Sequence, residues 1–395
     1  MEVIVPPALA VPAITQLQLL RQGLAQRPES SALRMRLAAR LFDRDQFDEA
    51  AAVLGEPSDS AAPREHLLWS QILLSRGGAG DAEAAEGHAA RAATGAETEA
   101  DRQQAMLTRA RALLRLGREG EGLDLLQAIL AADPDHHGAF RTLTDTLLRT
   151  GDGAGVLALI TQLEHAGARH PRRLGARMLA EARSGRSDTA RALSGIELLA
   201  TSTLALPAGW SSLAAFNAAL RLEAEQDPDL RAGRHGTSSR GTIRVDHPQR
   251  AGAMAFAALH RQIAEAVERR IATLDSIGHP WIAARPARLV MRSWCVMTDG
   301  EGYEEWHNHP AGWMSGGYYI AVPDTGHDDT CQAACLALGL PPALTGNVAA
   351  AEFGETFVRP FPGMLALFPS HAYHHTYPHR QQERRICMAF DLEPG

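Results

Sequence analysis

Two short segments near the end of the chain decide how its C-terminal half folds. Residues 306–319 read WHNHPAGWMSGGYY, and residues 367–374 read LFPSHAYH. Side chains two positions apart on a β-strand lie on the same face, so His307 and His309 are placed to bind one metal ion. His374 follows a later predicted strand and supplies a third imidazole. These residues predict a metal-binding pocket in a β-barrel.

An arginine on the last predicted strand extends this pocket. Arg385 lies eleven residues after His374, and its planar guanidinium is suited to hold a carboxylate through two parallel hydrogen bonds. A metal ion next to such a group can chelate a keto acid. Imidazole suits iron, copper, zinc and nickel, so the histidines alone do not identify the metal. His375 is the rival of His374, because adjacent residues of a strand face opposite ways and only one of them can enter the pocket.

The composition is that of a soluble globular protein with more than one domain. The chain has 395 residues, of which 45% are hydrophobic and 22% are charged, and this length favours two or three domains. The net charge of −7 and the lack of interleaved aromatic and basic residues argue against nucleic-acid binding. No apolar run approaches the ~20 residues that span a bilayer, and the N-terminus lacks a signal-peptide pattern. We predict a cytoplasmic protein that binds neither membranes nor nucleic acids.

The first half of the chain repeats with a period of 34 residues. Gly117, Gly151 and Gly185 are spaced by this period, and each lies between Ala- and Leu-rich segments with helical periodicity. An earlier unit carries Asp45 at the position of the turn glycine. Helix–turn–helix units with this period are typical of tetratricopeptide repeats (TPR). We predict that residues 1–195 form a degenerate TPR-like helical repeat domain.

Two roles are open for these repeats. One is a scaffold that stacks helices against the next domain. The other is a binding surface, because solenoids expose extended concave faces that fit a peptide or a protein. A peptide or protein partner on the concave face is the sharper of the two hypotheses.

After the repeats, the pattern changes from helices to short strands. Helical segments at residues 209–226 and 252–275 precede several short segments rich in aromatic and β-branched residues. Residues 328–347 interrupt these strands and are predicted to form an inserted helix and loop. Short strands separated by turns favour a small barrel or a jelly roll. We predict a multidomain α + β protein in which residues 196–395 form a double-stranded β-helix (jelly-roll or cupin-like) domain with flanking helices.

Several ordered motifs support a family resemblance of this second region. They are Ser239–Thr242, Arg292–Trp294, His307–Pro310, Gly312–Ser315, Tyr318–Tyr319, Phe353–Glu355, Pro362–Ser370, His374, Arg385 and Ala389–Asp391. With these motifs, the C-terminal half resembles the bacterial 2-oxoglutarate/Fe(II)-dependent oxygenases that follow tetratricopeptide repeats. The resemblance implies a double-stranded β-helix, Fe(II) and 2-oxoglutarate as cofactors, O2 as cosubstrate, and hydroxylation as the default reaction.

The resemblance also implies roles for the pocket residues. Iron is held by His307, His309 and His374, which form the catalytic centre. The distal carboxylate of 2-oxoglutarate is anchored by Arg385, with help from Tyr318 or Tyr319. Three tryptophans are placed to line or close the pocket, namely Trp294, Trp306 and Trp313.

The sequence departs from the usual pattern of that superfamily at two positions. His309 stands where an aspartate or glutamate is usual, so the metal set is either three histidines or two histidines with His309 in a supporting position. Three acidic residues lie nearby in the sequence as alternative ligands: Glu304, Glu305 and Glu355. Cys387 stands two residues after Arg385, where a hydroxyl residue often helps to hold the keto acid.

The leading functional hypothesis is therefore an Fe(II)- and 2-oxoglutarate-dependent dioxygenase. Its substrate is a peptide or protein side chain recruited by the repeats, or else a small molecule. One alternative is a cupin-type metalloenzyme that uses no 2-oxoglutarate, in which Arg385 is structural. Another is a TPR interaction protein with a catalytically inactive barrel.

Overall fold

The computed structural model describes residues 2–8, 11–168, 172–233, 236, 238–325 and 332–395. A region of consecutive helices comes first, and a region of strands follows. Within the described ranges, no helix combines the length and apolarity needed to cross a membrane. The helices of the first region are α1 (Ala13–Gln26), α2 (Ser31–Phe42), α3 (Phe47–Leu54), α4 (Pro63–Arg76), α5 (Asp81–Gly95), α6 (Glu99–Arg115), α7 (Glu119–Ala132), α8 (His137–Arg149), α9 (Gly153–His165), α10 (Arg172–Arg183) and α11 (Ser187–Ser194).

The helices of the first region are joined by tight turns at the positions that the 34-residue spacing predicts. Gly117, Gly151 and Gly185 have φ angles of 72°, 91° and 75°. Glycine adopts this left-handed conformation without the steric cost of a Cβ atom. Asp45 replaces glycine in the earlier unit and also has a positive φ, of 61°, which aspartate tolerates better than most residues. Each helix then packs against the next one along the chain.

The second region consists of a large sheet, a small sheet and helices on one side. The strands are β1 (Val3–Ile4), β2 (Ala200–Thr203), β3 (Arg231–Ala232), β4 (Ser239–Val245), β5 (Leu289–Glu304), β6 (Met314–Ala321), β7 (Leu336–Leu338), β8 (Thr356–Val358), β9 (Met364–Pro369), β10 (His374–Thr376) and β11 (Arg385–Pro394). The helices are α12 (Leu213–Glu225), α13 (Met254–Ala272), α14 (Pro280–Ala283), α15 (Pro342–Thr345) and α16 (Asn347–Phe353). The large sheet has the order β2-β9-β6-β11-β5-β4-β3, with β1 parallel to β5, and the small sheet has the order β10-β7-β8.

The two faces of the large sheet have different surroundings, as β11 shows. Alternate side chains of a strand point to opposite faces. One set packs with α12 and α13 in the main apolar core, and it comprises Ile386, Met388, Phe390 and Leu392. The other set consists of the alternate residues from Arg385 to Asp391, and it faces the small sheet. The candidate site lies between the two sheets.

The structure differs from the sequence prediction in two segments. Val3–Ile4 falls within the predicted repeat domain, yet it pairs with β5 in the large sheet. Residues 328–347 were predicted as a helix and a loop, and residues 328–331 lie outside the described residues. The described remainder contains the short helix α15, in agreement with the predicted helix, and also the strand β7, whose apolar residues are all buried between β8 and β10. Burial of Leu336–Leu338 in the small sheet favours a strand over a helix here.

The helical region and the strand region share apolar contacts. Leu340, Leu344 and Phe353, from the segment around α15 and α16, pack into the core formed by α6 to α11. Arg191 of α11 donates a hydrogen bond to the Phe353 carbonyl at 2.5 Å, and its guanidinium lies 4.6 Å from the Phe353 ring centroid. The later helix pairs therefore serve as a platform for the strand region.

A buried histidine, His260, fastens α13 to β5. Its Nδ1 donates to the Phe256 carbonyl at 2.6 Å, and its Nε2 accepts from the Ser293 hydroxyl at 2.7 Å. Burial lowers the pKa of His260 to about 4, whereas an unfolded chain protonates a histidine at about 6.5. As pH falls from 6.5 to 4, the unfolded state therefore takes up a proton that the folded state does not. We expect this group to lower the free energy of unfolding by about 1.4 kcal/mol per pH unit in that interval.

A pair of variants isolates the contribution of His260. The difference in unfolding free energy between wild type and His260→Gln, measured by urea titration, is expected to shrink by about 3 kcal/mol between pH 7 and pH 4. The exposed residue His165 on α9 provides the matched control, His165→Gln. A difference for His260→Gln that stays constant with pH would show that His260 takes up its proton in the folded state.

Candidate active site

Backbone hydrogen bonds join the two histidine segments directly. The His307 N–H donates to the His374 carbonyl and the His374 N–H donates to the His307 carbonyl, both at 2.9 Å. The His309 N–H donates to the Ser370 carbonyl, also at 2.9 Å. Directly opposed residues of an antiparallel pair project to the same side. This register brings His307 and His309 onto one face together with His374.

The three imidazoles form a compact cluster. One ring nitrogen from each of His307, His309 and His374 lies within 4.8 Å of the others. The Nε2 atoms of His309 and His374 are 3.2 Å apart. Two nitrogens bound to one ion at about 2.1 Å and at right angles lie about 3.0 Å apart. The observed spacing fits a single ion with adjacent imidazole ligands.

Hydrogen bonds at Nδ1 orient each ring. His307 Nδ1 donates to the Glu305 carbonyl at 2.7 Å, and His374 Nδ1 donates to the Ala372 carbonyl at 3.1 Å. His309 Nδ1 lies 3.1 Å from a carboxylate oxygen of Asp391. With the Nδ1 protons on these acceptors, the Nε2 lone pairs are left to bind a metal, which is the usual arrangement of metal-bound histidines. The residues therefore fit Fe(II), for which imidazole is a suitable ligand.

The surroundings of His307 and His374 keep these two imidazoles neutral. Burial, and after it the neighbouring His309, lower the pKa of His307 to about 3. Burial and the neighbouring His307 hold the pKa of His374 well below its usual range. Neutral imidazole is the form that binds metal ions, so these two residues are ready for a metal at neutral pH.

Asp391 supports the cluster, a role that the sequence analysis did not assign to it. The carboxylate is buried, with one oxygen on His309 Nδ1 and the other accepting from the Ser315 hydroxyl at 2.6 Å. The Ser315 hydroxyl in turn lies 2.7 Å from that of Ser370. Asp391 is separated from Arg385 by an even number of positions on β11, so the alternation of the strand places both on the face of the site. That spacing was a usable signal in the sequence.

Replacing Asp391 by asparagine is expected to weaken metal binding. The asparagine amide is a weaker acceptor, and its NH2 group can also donate to Nδ1, which would move the His309 proton to Nε2 and block the lone pair there. Loss of such an outer carboxylate lowers metal affinity by about 10- to 100-fold. Calorimetric titration with Mn(II) measures the change. Glu393→Gln, two residues along the same strand, is the control, and equal affinities in wild type and Asp391→Asn would exclude the supporting role.

A second polar group lies deeper between the sheets, around Arg385. Arg385 is directly opposite Thr298 on β5, which is opposite Thr242 on β4, so the three side chains share one face. All three residues are buried. Within the described part of the chain, the Arg385 Nε and both threonine hydroxyls have no hydrogen-bond partner. Buried donors without partners are rare in folded proteins and indicate a binding site for a polar group.

The two adjacent tyrosines of β6 lie on opposite faces. Tyr319 faces the small sheet, and its ring centroid is 5.2 Å from the guanidinium carbon of Arg385. Burial raises the pKa of Tyr319, while the charge of Arg385 opposes this shift. Tyr318 was predicted as an alternative helper of Arg385, but it belongs to the core beneath α12 and donates to the Asn217 side chain at 2.8 Å. Tyr318 therefore does not reach the pocket.

The three nearby glutamates have partners away from the histidine cluster. Glu304 accepts hydrogen bonds from two serine hydroxyls at 2.6 and 2.8 Å. Glu305 pairs with Arg240 at 2.5 Å. Glu355 accepts from the Tyr377 hydroxyl at 2.9 Å. The cluster of potential ligands consists of the three histidines.

The remaining predicted residues divide between the site and its surroundings. Trp294 lies at the site, with its ring centroid 5.6 Å from that of His309. Trp306 instead packs on His375, at 4.1 Å between centroids, on the side of β10 away from His374. Trp313 is buried and stacks on the indole of α14, so it does not line the pocket.

Comparison with known proteins places this geometry in context. Residues 292–391 match the model of a family described as "Putative 2OG-Fe(II) oxygenase". None of the curated proteins matches the sequence significantly.

Matches to solved structures cover about half of the chain. A prolyl-4-hydroxylase from Pseudomonas putida is 16% identical, with a TM-score of 0.33, and the match covers 52% of this chain and 98% of that one. A prolyl hydroxylase from Trichoplax adhaerens, in complex with a peptide fragment of the hypoxia inducible factor oxygen degradation domain, is 14% identical, with a TM-score of 0.34 and coverages of 56% and 90%. HygX from Streptomyces hygroscopicus, with nickel and 2-oxoglutarate bound, is 13% identical, with a TM-score of 0.32 and coverages of 50% and 82%.

The family match spans Trp294, His307, His309, His374 and Arg385. These are the residues that the structure gathers between the two sheets. The C-terminal part of this chain is a 2OG-Fe(II) oxygenase domain, and the protein is a dioxygenase that uses Fe(II) and 2-oxoglutarate.

Proposed function

We propose that this protein hydroxylates a C–H bond of a peptide or protein side chain, with a small molecule as the second candidate substrate. The reaction converts R–H, O2 and 2-oxoglutarate into R–OH, succinate and CO2. The observation that carries the proposal is the set of three imidazoles whose Nδ1 atoms are engaged and whose Nε2 atoms converge. When bound, iron and 2-oxoglutarate supply the oxidising chemistry, and the protein supplies geometry and exclusion of water.

The proposed metal set is the facial group His307, His309 and His374. Its support is that the nearby glutamates are held by other side chains, while Asp391 reaches Nδ1 of His309 and leaves Nε2 available. In this arrangement Asp391 acts on the metal only through His309. Three ligands on one side leave positions on the other side of an ion for a cosubstrate and oxygen.

The proposed binding group for 2-oxoglutarate is Arg385 with Thr298 and Tyr319. The Arg385 Nε and the Thr298 hydroxyl lack partners within the described residues, and a carboxylate would satisfy both of them. Thr298, on the neighbouring strand, also supplies a hydroxyl group that can hold the keto acid. Cys387 has no hydroxyl group and cannot do so. Burial raises the pKa of the Cys387 thiol to about 11, so the thiol stays neutral and leaves the charge of Arg385 available to the ligand.

The two tyrosines provide a matched test of this pocket. Tyr319→Phe is expected to weaken 2-oxoglutarate binding by about 2- to 10-fold, the value of a single hydrogen bond. Tyr318→Phe is expected to leave that affinity unchanged and to lower stability, because it removes the partner of a buried Asn217 oxygen. Titration of 2-oxoglutarate against the Fe(II)-loaded variants, together with thermal unfolding, checks both outcomes. The reverse pattern would place the cosubstrate on the other face of β6.

We further propose that the helix pairs of the first region are TPR-like repeats that position the substrate. Their support is the 34-residue spacing of turns with positive φ, including Asp45. The later pairs pack against α15 and α16, so their surface is partly occupied by the strand region. The proposed peptide or protein partner binds the concave face of these helix pairs.

Anaerobic titration with Fe(II), with and without 2-oxoglutarate, tests the proposed function. The expected result is a weak visible metal-to-ligand charge-transfer band that appears only when both are present. Succinate formation in air then provides a second readout. Iron binding without the band would support the cupin-type alternative, and a failure to bind iron would support the interaction protein with an inactive barrel.

A further inference from the structure

The first helix pair is fixed against the strand region beside the candidate site. The backbone N–H groups of Ala13 and Ile14, at the start of α1, donate to the Asp229 carboxylate at 2.7 and 2.8 Å. Asp229 also accepts from Arg250 at 2.6 Å. A carboxylate at a helix N-terminus satisfies free N–H groups and complements the helix dipole. Helices α1 and α2 therefore have a defined position relative to β4 and β5.

A cavity of about 540 Å³ lies between this helix pair and the part of the large sheet formed by β3, β4 and β5. Its volume falls within the usual range for sites that bind small molecules, roughly 300–1,000 Å³. Trp294 lines the cavity, and its ring centroid is 5.6 Å from that of His309. The cavity is thus separated from the histidine cluster by one side chain.

Positive charge predominates in the lining of the cavity. Five arginines and three aspartates contribute to it. Two of the arginines are committed to short ion pairs. Arg231 lies 2.6 Å from Asp246 and 3.0 Å from Asp45, and Arg244 lies 2.7 Å from Asp246. These pairs fix the wall of the cavity.

The other three arginines have longer ion pairs, and two of them, Arg40 and Arg292, are exposed. The nearest carboxylates of Arg40, Arg44 and Arg292 are 3.4, 3.6 and 3.5 Å away. The side chains of Arg40 and Arg292 are 56% and 58% exposed, and exposed pairs of this length contribute little binding energy. Arg40 lies in α2 and Arg44 in the turn that follows α2, whereas Arg292 comes from β5, two positions before Trp294. Guanidinium groups from two separate parts of the chain therefore line one cavity.

We propose that this cavity binds the substrate of the oxygenase through an anionic group, a carboxylate or a phosphate, held by Arg40, Arg44 and Arg292. The substrate would extend past Trp294 to present its C–H bond to the site. The proposal rests on the function proposed above and adds the chemical class of the substrate. It also gives the first helix pair a role in specificity, because Arg40 lies on α2 and Arg44 in the turn that follows α2. The anionic group belongs either to an acidic peptide or to a small anionic molecule.

Binding measurements with defined probes test the proposal on the full-length protein. The peptide probe is a fluorescein-labelled hexapeptide of alternating glutamate and alanine, compared by anisotropy with its glutamine–alanine counterpart. The small-molecule probes are citrate and inorganic phosphate, measured by calorimetry. Arg40→Gln and Arg292→Gln change the cavity, and Arg269→Gln on α13, whose side chain is 67% exposed, is the matched control.

The expected result is selective binding of an anionic probe that depends on the cavity arginines. Each of Arg40→Gln and Arg292→Gln should weaken it about 5- to 10-fold, less than the loss of a buried charged hydrogen bond because both side chains are more than half exposed, and Arg269→Gln should not. The glutamate peptide binding in this way would identify an acidic peptide as the source of the anion, whereas citrate or phosphate alone would identify a small molecule. No anion binding by the wild type, or equal binding by the Arg40 and Arg292 variants, would overturn the proposal.

The charge-transfer titration separates this proposal from the one on which it rests. If the protein gives the charge-transfer band but binds none of the anionic probes, the proposal of an anionic substrate is wrong. The proposed oxygenase activity is then unaffected. Arg-dependent anion binding in a protein that gives no band overturns the substrate role of the cavity together with the proposed function.

Discussion

Replacing His374 by alanine is expected to abolish the Fe(II)- and 2-oxoglutarate-dependent absorption band and succinate formation. His374 supplies one of three nitrogens, and its Nε2 lies 3.2 Å from that of His309. Loss of a side chain that is hydrogen-bonded to a metal ligand already lowers metal affinity by about 10- to 100-fold. Loss of a ligand itself is therefore expected to lower metal affinity by at least about 100-fold. Wild type should gain about 2.7 kcal/mol of stability from Mn(II) at 100 times its dissociation constant. His374→Ala should lose this gain, which thermal unfolding measures.

The adjacent residue provides the control for this prediction. His375 lies on the same short strand, but it packs on Trp306 and lies 3.5 Å from Glu355. His375→Ala removes a ring of similar size and is expected to retain metal binding. Because the His374 ring also packs on Phe368 at 4.8 Å, circular dichroism must show that His374→Ala is folded. Retained metal binding in a folded His374→Ala protein, with loss in His375→Ala, would place the site on the opposite face of β10.

The part of the site that depends on local geometry is predictable from the sequence. The period of a strand is two in any fold, so an H-x-H pair is enough to place His307 and His309 on one face. The same rule states that only one of His374 and His375 can join them. The turn residues of the helices are local in the same sense, because Gly117 and its equivalents need a conformation that few residues adopt.

Alternation loses its predictive value where both faces of a strand are buried. β6 lies between α12 and the small sheet, and from Met314 to Ile320 all of its residues are buried. Alternation shows that Tyr318 and Tyr319 face opposite ways, but polarity cannot show which of them faces the pocket. The outcome depends on Asn217 in α12, which lies about a hundred positions away in the chain.

The partners of charged groups are equally non-local. Glu304 and Glu305 precede the H-x-H pair and were reasonable candidate ligands, yet the residues that hold them lie in β4 and the turn before it. The register between β5 and β11 places Thr298 opposite Arg385, and that register is set by pairing along the whole length of the two strands. For the same reason, a cavity between α2 and β5 has no signature in either segment alone.

Replacing Arg385 by glutamine is expected to raise the dissociation constant of 2-oxoglutarate by about 100-fold or more. The guanidinium is buried next to Tyr319, and each hydrogen bond to a charged group contributes about 1.5–3 kcal/mol. Glutamine cannot replace a bidentate cation. A guanidinium is always protonated and has no lone pair to offer a metal ion, so Fe(II) binding in the absence of 2-oxoglutarate should remain unchanged. Titration of 2-oxoglutarate against the absorption band of the Fe(II)-loaded protein measures the effect.

Two further variants distinguish the charge of Arg385 from its geometry and its position. Arg385→Lys keeps the charge but loses the planar pair of donors, so an intermediate affinity is expected. Arg384→Gln changes the preceding residue, which lies 2.7 Å from Asp299 and is 37% exposed, and it should bind 2-oxoglutarate as the wild type does. The cupin-type alternative requires the opposite result, because there Arg385 is structural. If Arg385→Gln unfolds at a lower temperature but binds 2-oxoglutarate normally, the buried guanidinium stabilises the barrel and the keto acid is held elsewhere.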